Sequence, residues 1–240
     1  MKNQTKVRLT SALLAGTLLF TTGCVSKGKT DDTSKESSEV VSEVDNLPKE
    51  RNIVKIHNFA YVTNDTPLYD IDMNEIDYIS KYQKVFVYNN EDNMLMVHYY
   101  NDNGEMKIGY IYQDSIEILP NLFVEVDISD QIVQMYKDSK LLLSTATVTG
   151  NPWTPTNEGY FAVTYKEFDT YLVGPGYRSH VDYWMPFDGD IGLHDASWRS
   201  TFGGDIYLSN GSHGCVNLPN AAAGTIYDNV EAGTKVLVHR

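Results

Sequence analysis

Ser212-His213-Gly214-Cys215-Val216-Asn217, preceded by His194 across a gap of 17 residues, is the densest cluster of reactive side chains in the chain. A thiol acts as a nucleophile when its pKa is lowered, a base lies in hydrogen-bond reach and donors await the oxyanion. The segment carries residue types for all three. The pattern predicts a helix over roughly Leu218 to Val230, with Asn217 as N-cap and Gly233 as stop. Ala221, Ala222, Ala223, Ile226, Tyr227 and Val230 form its apolar side, and Gly224 weakens it by about 1 kcal/mol. Cys215, just before that helix, would sit in its N-terminal partial positive charge and favour a thiolate. His194 offers an imidazole, and Gly214 leaves room for backbone N–H groups to face a carbonyl. Residue types and spacing leave three readings open: a nucleophile, a small buried apolar residue, or a metal ligand. The metal reading lacks paired cysteines or a four-ligand set, and neighbouring strand residues such as His213 and Gly214 point to opposite faces.

Around this cluster the pattern is that of strands. Leu122 to Ile128 alternates, and Gln131 to Tyr136 follows a polar turn at Ser129-Asp130, so the pair reads as a hairpin opening a new sheet after Pro120. Leu141 to Thr149, Gly159 to Lys166 and Thr234 to His239 add further strands. Residues 51–120 read as a separate β-rich unit. Ile53 to Ile56, Lys84 to Tyr88, Met94 to Tyr100 and Lys107 to Tyr112 are its strands, divided by turn clusters at Asn89 to Asn93 and Asn101 to Gly104. Gly104 can take the positive φ a hairpin needs. His57 and His98 read as ordinary strand or surface residues. No internal repeat is present.

The first 24 residues form an address. Lys2, Lys6 and Arg8 precede an apolar run from Ala12 to Phe20, and Thr21-Thr22-Gly23-Cys24 closes it. The run is about half the ~20 residues needed to span a bilayer. A small residue followed by cysteine resembles the bacterial lipobox, which implies lipid on Cys24 and anchoring to the outer face of the membrane, facing the wall. Thr21 stands where an aliphatic residue is usual. Residues 25–50 carry acids among serines, threonines and lysines and no aromatic residue, so they cannot offset chain entropy by burial. They read as a tether.

The chain has 240 residues, 42% apolar and 21% charged, which fits a folded protein. Its formal charge of −13 argues against nucleic acid and against charge-driven docking on anionic lipid. Two cysteines cannot build a disulfide framework, and with Cys24 lipidated Cys215 is the one thiol left. Seventeen tyrosines point to a β-rich fold and to aromatic surfaces for an extracellular polymer.

His194 with the motif from Ser212 to Asn217 resembles the signature of the L,D-transpeptidases, the YkuD-type peptidoglycan cross-linking enzymes. The resemblance extends over about 120 residues and takes in Val126-Asp127 with Gln131, Thr149-Gly150, Thr156 to Phe161, Gly176-Tyr177-Arg178, His194 to Trp198 and Gly233 to Val236. It implies a mainly β chain: a mixed-sheet β-sandwich with one main helix over residues 121–240. Val62 to Tyr69 and Gly109-Tyr110-Ile111 resemble bacterial SH3-like domains, which implies a small β-barrel over 51–120 that binds wall peptide or acts as a spacer. By resemblance Cys215 is the nucleophile, His194 the general acid/base and Ser212 the group that orients it. His213 braces the loop, and the Gly214 and Cys215 N–H groups form the oxyanion site. Tyr177, Trp198 and Asn217 match positions bordering the acyl pocket, while Arg178 and His180 lie on a lid segment with Gly174, Gly176 and Gly189 as its hinges.

The implied reaction is acyl transfer from a tetrapeptide stem through a Cys215 thioester, releasing D-Ala and making 3-3 type cross-links, with no metal or organic cofactor. Donor and acceptor stems are the implied partners, and carbapenem-type β-lactams the implied inhibitors. An L,D-carboxypeptidase using the same groups, a non-catalytic wall-binding lipoprotein and a zinc protein are the rival expectations.

Overall fold

Seven strands follow one another in the computed structural model, which describes residues 53–174 and 176–240. They are β1 (Ile53–Val62), β2 (Thr66–Tyr69), β3 (Glu75–Ile79), β4 (Lys84–Glu91), β5 (Met94–Tyr100), β6 (Met106–Tyr112) and β7 (Ile116–Ile118). The expected signal segment, Cys24 and the tether lie outside the described residues. Turn chemistry joins the strands as their sequences ask. Asp92 and Asn93 both take positive φ between β4 and β5, and Gly104, at +71°, turns β5 into β6. Val85 and Val87 alternate with Phe86 and Tyr88 along β4, and Leu95, Val97 and Tyr99 with His98 and Tyr100 along β5. The first set joins Ala60, Val62, Leu68, Ile79 and Ile111 in one buried cluster. The order is β3-β2-β6-β5-β4-β1-β7. Where a small barrel was expected, β3 and β7 stand at opposite ends and do not pair, so the ladder stays open. The four-residue β2 contains Pro67, which cannot donate to a ladder, and meets β6 through the single pair Tyr69–Tyr110.

Beyond Pro120 come β8 (Leu122–Asp127), β9 (Ile132–Lys137), β10 (Lys140–Ala146), β11 (Gly159–Ala162), β12 (Glu167–Gly174), β13 (Tyr177–Asp188), β14 (Ile191–Asp195), α1 (Ile206–Asn210), β15 (Val216–Leu218), α2 (Asn220–Asn229) and β16 (Lys235–His239). One sheet runs β10-β9-β8-β16-β11 and the other β12-β13-β14-β15. Each holds one parallel pair, β8 with β16 and β14 with β15, so both sheets are mixed. Val124, Val126, Met135 and Val236 from one sheet meet Met185, Leu193, Val216 and Leu218 from the other, with Ala223 and Ile226 of α2 filling the same core. Truncating such a residue, Ile226→Ala for example, costs about 2–5 kcal/mol.

The main helix starts later than its sequence suggests. Val216 and Leu218 are fully buried, pair with β14 as a strand, and leave the helix to begin after Pro219. Proline holds the residue before it extended, which keeps Leu218 out of the helix. Asn217 is therefore a buried strand residue and not a cap. Gly224 stays in α2 because a Cβ there would come within 3.0 Å of the Tyr183 ring.

Alternation places Phe123 and Glu125 on the face of β8 away from the sandwich core, and Leu237 and His239 likewise on β16. That face is covered. Phe123 and Leu237 pack with Tyr61, Leu119 and Tyr136, and Phe59 of β1 adjoins them. Glu125 is 3% exposed, accepts from His239 Nε2 at 2.8 Å and from Lys84 of β4, whose ammonium also donates to Tyr136 Oη at 2.7 Å. Burial pushes the Glu125 carboxyl up, but Lys84 and His239 outweigh it and hold the group at about 2. Burial works against the charged His239 ring, and the Glu125 hydrogen bond and charge overcome it and raise its pKa.

Candidate active site

In the parallel pair β14–β15, His194 lies opposite Asn217 and Leu193 opposite Val216. Cys215 ends the loop that leads into β15, one residue before the strand, and lines the same cleft as His194. Gly192 lets β14 lie close against β13: a Cβ there would come within 2.7 Å of the Met185 carbonyl oxygen and 2.6 Å of the Trp184 ring.

His194 is 3% exposed, and its Nδ1 lies 2.8 Å from the backbone oxygen of Asp195. A carbonyl only accepts, so Nδ1 carries the proton and Nε2 is left with a lone pair. With its amide oriented to satisfy both ends, Asn217 donates to Nε2 at 3.0 Å and accepts from Arg199 Nε at 2.8 Å. Trp184 and Trp198 lie against the ring, with centroids 5.9 and 5.8 Å from it. The Asp195 carboxylate accepts from the backbone N–H groups of Asp182 and Tyr183 at 2.8 and 2.9 Å, fastening β14 to β13.

Burial lowers the pKa of His194, with the Arg199 charge adding to it against the pull of Asp195. Burial raises the pKa of Cys215, and the Asp190 charge adds to it, while the Gly192 N–H opposes. Cys215 Sγ donates to the Asp190 carbonyl at 3.6 Å. The resting pair is thus a neutral thiol and a neutral imidazole, not the thiolate expected beside a helix N-terminus. The physical reason is that β15 separates Cys215 from α2.

The motif loop is closed by Ser212. Its hydroxyl donates to the Cys215 carbonyl at 2.5 Å and accepts from the Gly214 N–H at 3.0 Å. Ser212 braces the loop and does not orient the imidazole, which the Asp195 carbonyl holds instead. The Gly214 N–H, expected at an oxyanion site, is bonded to that hydroxyl here. Gly214 takes φ +122°, and a Cβ there would meet Ile191 at 3.0 Å. Thr156 ties the same loop down, accepting from the Gly150 N–H at 2.9 Å and donating to the Gly214 carbonyl at 2.7 Å. Buried Gln131 donates to Thr149 Oγ1 at 2.7 Å and accepts from the Thr149 N–H at 3.0 Å, so the opening hairpin supports this floor.

A cleft of about 200 Å³ joins Cys215, His194 and Asn217 with Tyr177, Trp198, Arg199, Ser212 and His213. His213 is exposed and stacks on Tyr177, centroids 5.4 Å apart at 17°. Tyr177 in turn lies across Gly174, where a Cβ would come within 2.3 Å of its ring. The expected lid segment is the β12–β13 hairpin. There His180 pairs with Asp169 at 2.6 Å and the Arg178 guanidinium lies 3.4 Å from the centre of the Tyr171 ring. On the motif loop's flank, Asn151 accepts from the Trp153 N–H at 2.8 Å and donates to the Ser212 carbonyl at 2.8 Å. That anchoring leaves Trp153 92% exposed.

Asp195, Arg199, Trp184 and Asn151 carry no role in the sequence reading. Each acts through a partner that only the folded chain brings near. Among the described residues no group of three His, Cys, Asp or Glu side chains is placed to hold a metal ion, and no helix is long and apolar enough to cross a membrane.

A model of the L,D-transpeptidase (YkuD) catalytic domain matches residues 121–238. Among solved structures, the Ldtfm–avibactam carbamoyl enzyme is 30% identical, covering 75% of this chain and 74% of that one at a TM-score of 0.51. A cysteine-to-serine mutant of the Enterococcus faecium L,D-transpeptidase is 29% identical over 74% and 75%, at 0.50. The catalytic domain of the E. faecium enzyme acylated by ertapenem is 42% identical over 50% and 98%, at 0.47. No curated protein matches the chain.

Proposed function

The chain belongs to the L,D-transpeptidase family, and on that premise we propose that it transfers acyl groups between peptidoglycan stem peptides through a thioester on Cys215. The observation that carries this reading is the one cleft that Cys215 and His194 line, with Nδ1 committed to Asp195 and Nε2 kept as the base. In the resting cleft Asn217 caps that base and Asp190 holds the thiol. The donor stem turns the thiol from Asp190 to Nε2. The sulfur attacks the carbonyl of the third, L-configured residue as its proton passes to His194. Collapse expels D-Ala, which takes the proton from the imidazolium. The acceptor amine then attacks the thioester, His194 removes its proton, and the thiol is regenerated with a 3-3 type cross-link formed. General acid/base work of this kind contributes about 10²–10⁴-fold.

A base whose pKa burial lowers keeps Nε2 available as a proton acceptor, which fits general-base activation of a protonated thiol better than a standing ion pair. The tightly anchored motif loop keeps the acyl group in one geometry for the second half. Relatives acylated by ertapenem and carbamoylated by avibactam support β-lactams as covalent inhibitors of this chain too. The first sheet, residues 51–120, serves as an SH3-like unit. Residues 1–24 export the chain, Cys24 takes lipid, and residues 25–50 tether the enzyme to the outer face of the membrane.

Purified protein with disaccharide-tetrapeptide is expected to form cross-linked dimers and a Cys215 acyl adduct by mass, both abolished in Cys215→Ala and blocked by a carbapenem. Trimmed stems without dimers would make it a carboxypeptidase. Full activity in Cys215→Ala would overturn the assignment.

A further inference from the structure

The cleft of Cys215 and His194 carries a charge that the acyl-transfer steps leave idle. Arg199 is its one lysine or arginine, and no aspartate or glutamate lines it. In a chain with 32 acids against 19 bases, that is a local reversal of sign. A turn after β14, in which the Arg199 N–H donates to the Ala196 carbonyl at 3.0 Å, sets the residue half-buried in the cleft wall. Its guanidinium meets neutral acceptors. Nη1 donates to the Asn210 carbonyl at 2.7 Å, while Nε and Nη2 donate to the Asn217 amide oxygen at 2.8 and 3.3 Å. A guanidinium has more donors than these acceptors use, and one N–H on each terminal nitrogen is left over. Burial lowers the pKa of Arg199, and no neighbouring charge answers it. The acids on this side of the sheet are occupied elsewhere: Asp190 acts on Cys215 and Tyr177, and Asp195 is tied to the N–H groups of β13.

We propose that Arg199 receives the free carboxylate at the end of the donor stem and so selects stems that stop one residue past the attacked carbonyl, an inference that rests on the acyl-transfer reading above. Asn217 bridges the guanidinium and His194 Nε2 by hydrogen bonds of 2.8 and 3.0 Å, so a single side-chain amide separates the cation from the base. In a tetrapeptide the carboxylate is likewise one residue beyond the carbonyl that the sulfur attacks, with successive Cα atoms about 3.8 Å apart. A carbonyl held at Cys215 and His194 therefore brings the carboxylate to the unused N–H groups. Their planar fork suits it, and the bond is assisted by charge on both sides. A stem longer by one residue carries its carboxylate past the guanidinium. The net charge of −13 works against an anionic peptide, and this cation offsets it where the peptide must enter.

The test uses the full chain with Cys215→Ala, so that nothing turns over. Calorimetry compares its affinity for a disaccharide-tetrapeptide ending in a free carboxylate and for the same stem ending in an amide. The free acid is expected to bind roughly tenfold tighter. Adding Arg199→Gln brings the two ligands to within about twofold of each other, and Arg199→Lys, which keeps the charge but not the fork, retains part of the preference. A bracing role alone would weaken both ligands alike, so an unchanged ratio in Arg199→Gln would overturn the proposal. Equal affinity for acid and amide in the Cys215→Ala chain would overturn it too, as would binding of neither. Should the preference hold while the chain with Cys215 intact forms no acyl adduct, the enzymatic reading falls and the carboxylate site stands.

Discussion

His194 and His239 are both all but sealed from solvent, both lie on strands that pair in parallel, and their pKa values move in opposite directions. At His194 burial dominates and the nearby Arg199 charge pushes the same way, so the ring is a neutral acceptor. At His239 burial also works against the charge, but Glu125 answers it with a hydrogen bond and a full negative charge and raises the pKa of the ring. Depth alone therefore does not decide what a buried histidine does; the carboxylate beside it does. The cleft leaves its imidazole without an ion-pair partner and with a free lone-pair acceptor, while the seam gives its imidazole one and gains a fastening.

The contrast breaks most visibly at the cleft. His194→Gln is expected to lower acyl transfer by about 10²–10⁴-fold with the thermal midpoint little changed; steady-state rates and a melting curve check it. At the seam the same kind of change inverts. Glu125→Gln strands the Lys84 ammonium without its carboxylate and removes the group that holds the proton on His239, and urea denaturation is expected to show a loss of about 3–5 kcal/mol, with the folded fraction keeping its turnover. A finer probe is Arg199→Gln. Removing that charge raises the pKa of His194, so the acid limb of kcat/KM moves to higher pH, and the rate in the acid range drops about 3–10-fold. The smallest effect belongs to His239→Gln. A pKa raised by folding stabilises below the ordinary histidine value of about 6.5 and fades as pH rises through the folded value. The stability gap between wild type and variant is thus widest in mild acid, about 1 kcal/mol, and narrows in alkali. A gap that grew with pH would mean the seam histidine is neutral after all.

Local chemistry made much of this readable in advance. Gly104 and the Asn-rich segment before Met94 turn where turn residues demand it, and the reactive motif with its upstream histidine lies on one cleft. What stayed hidden depends on distant pieces of chain. Glu125 alternates like a surface residue, and nothing near it in sequence says that Lys84 and Phe59 will cover it. Strand β12 has no buried face, so its residues show no apolar alternation to be recognised. The five-residue α1 buries none of its side chains and leaves no periodic trace. The expected thiolate followed from a helix placed too early, and Pro219 was the signal that could have moved it. Ser212 stands nearest the histidine in the motif, yet the Asp195 carbonyl, one residue along from the ring itself, holds it.

Trp153 has an optical consequence. The chain has three indoles at three depths: Trp184 is buried, Trp198 is half-exposed over His194, and Trp153 is almost bare at the flank of the motif loop. Because Asn151 pins its backbone, changes in its emission register what touches the ring and not wandering of the loop. Acrylamide would quench it first, so any polymer settling on that flank shields the fluorophore and announces its arrival without a label.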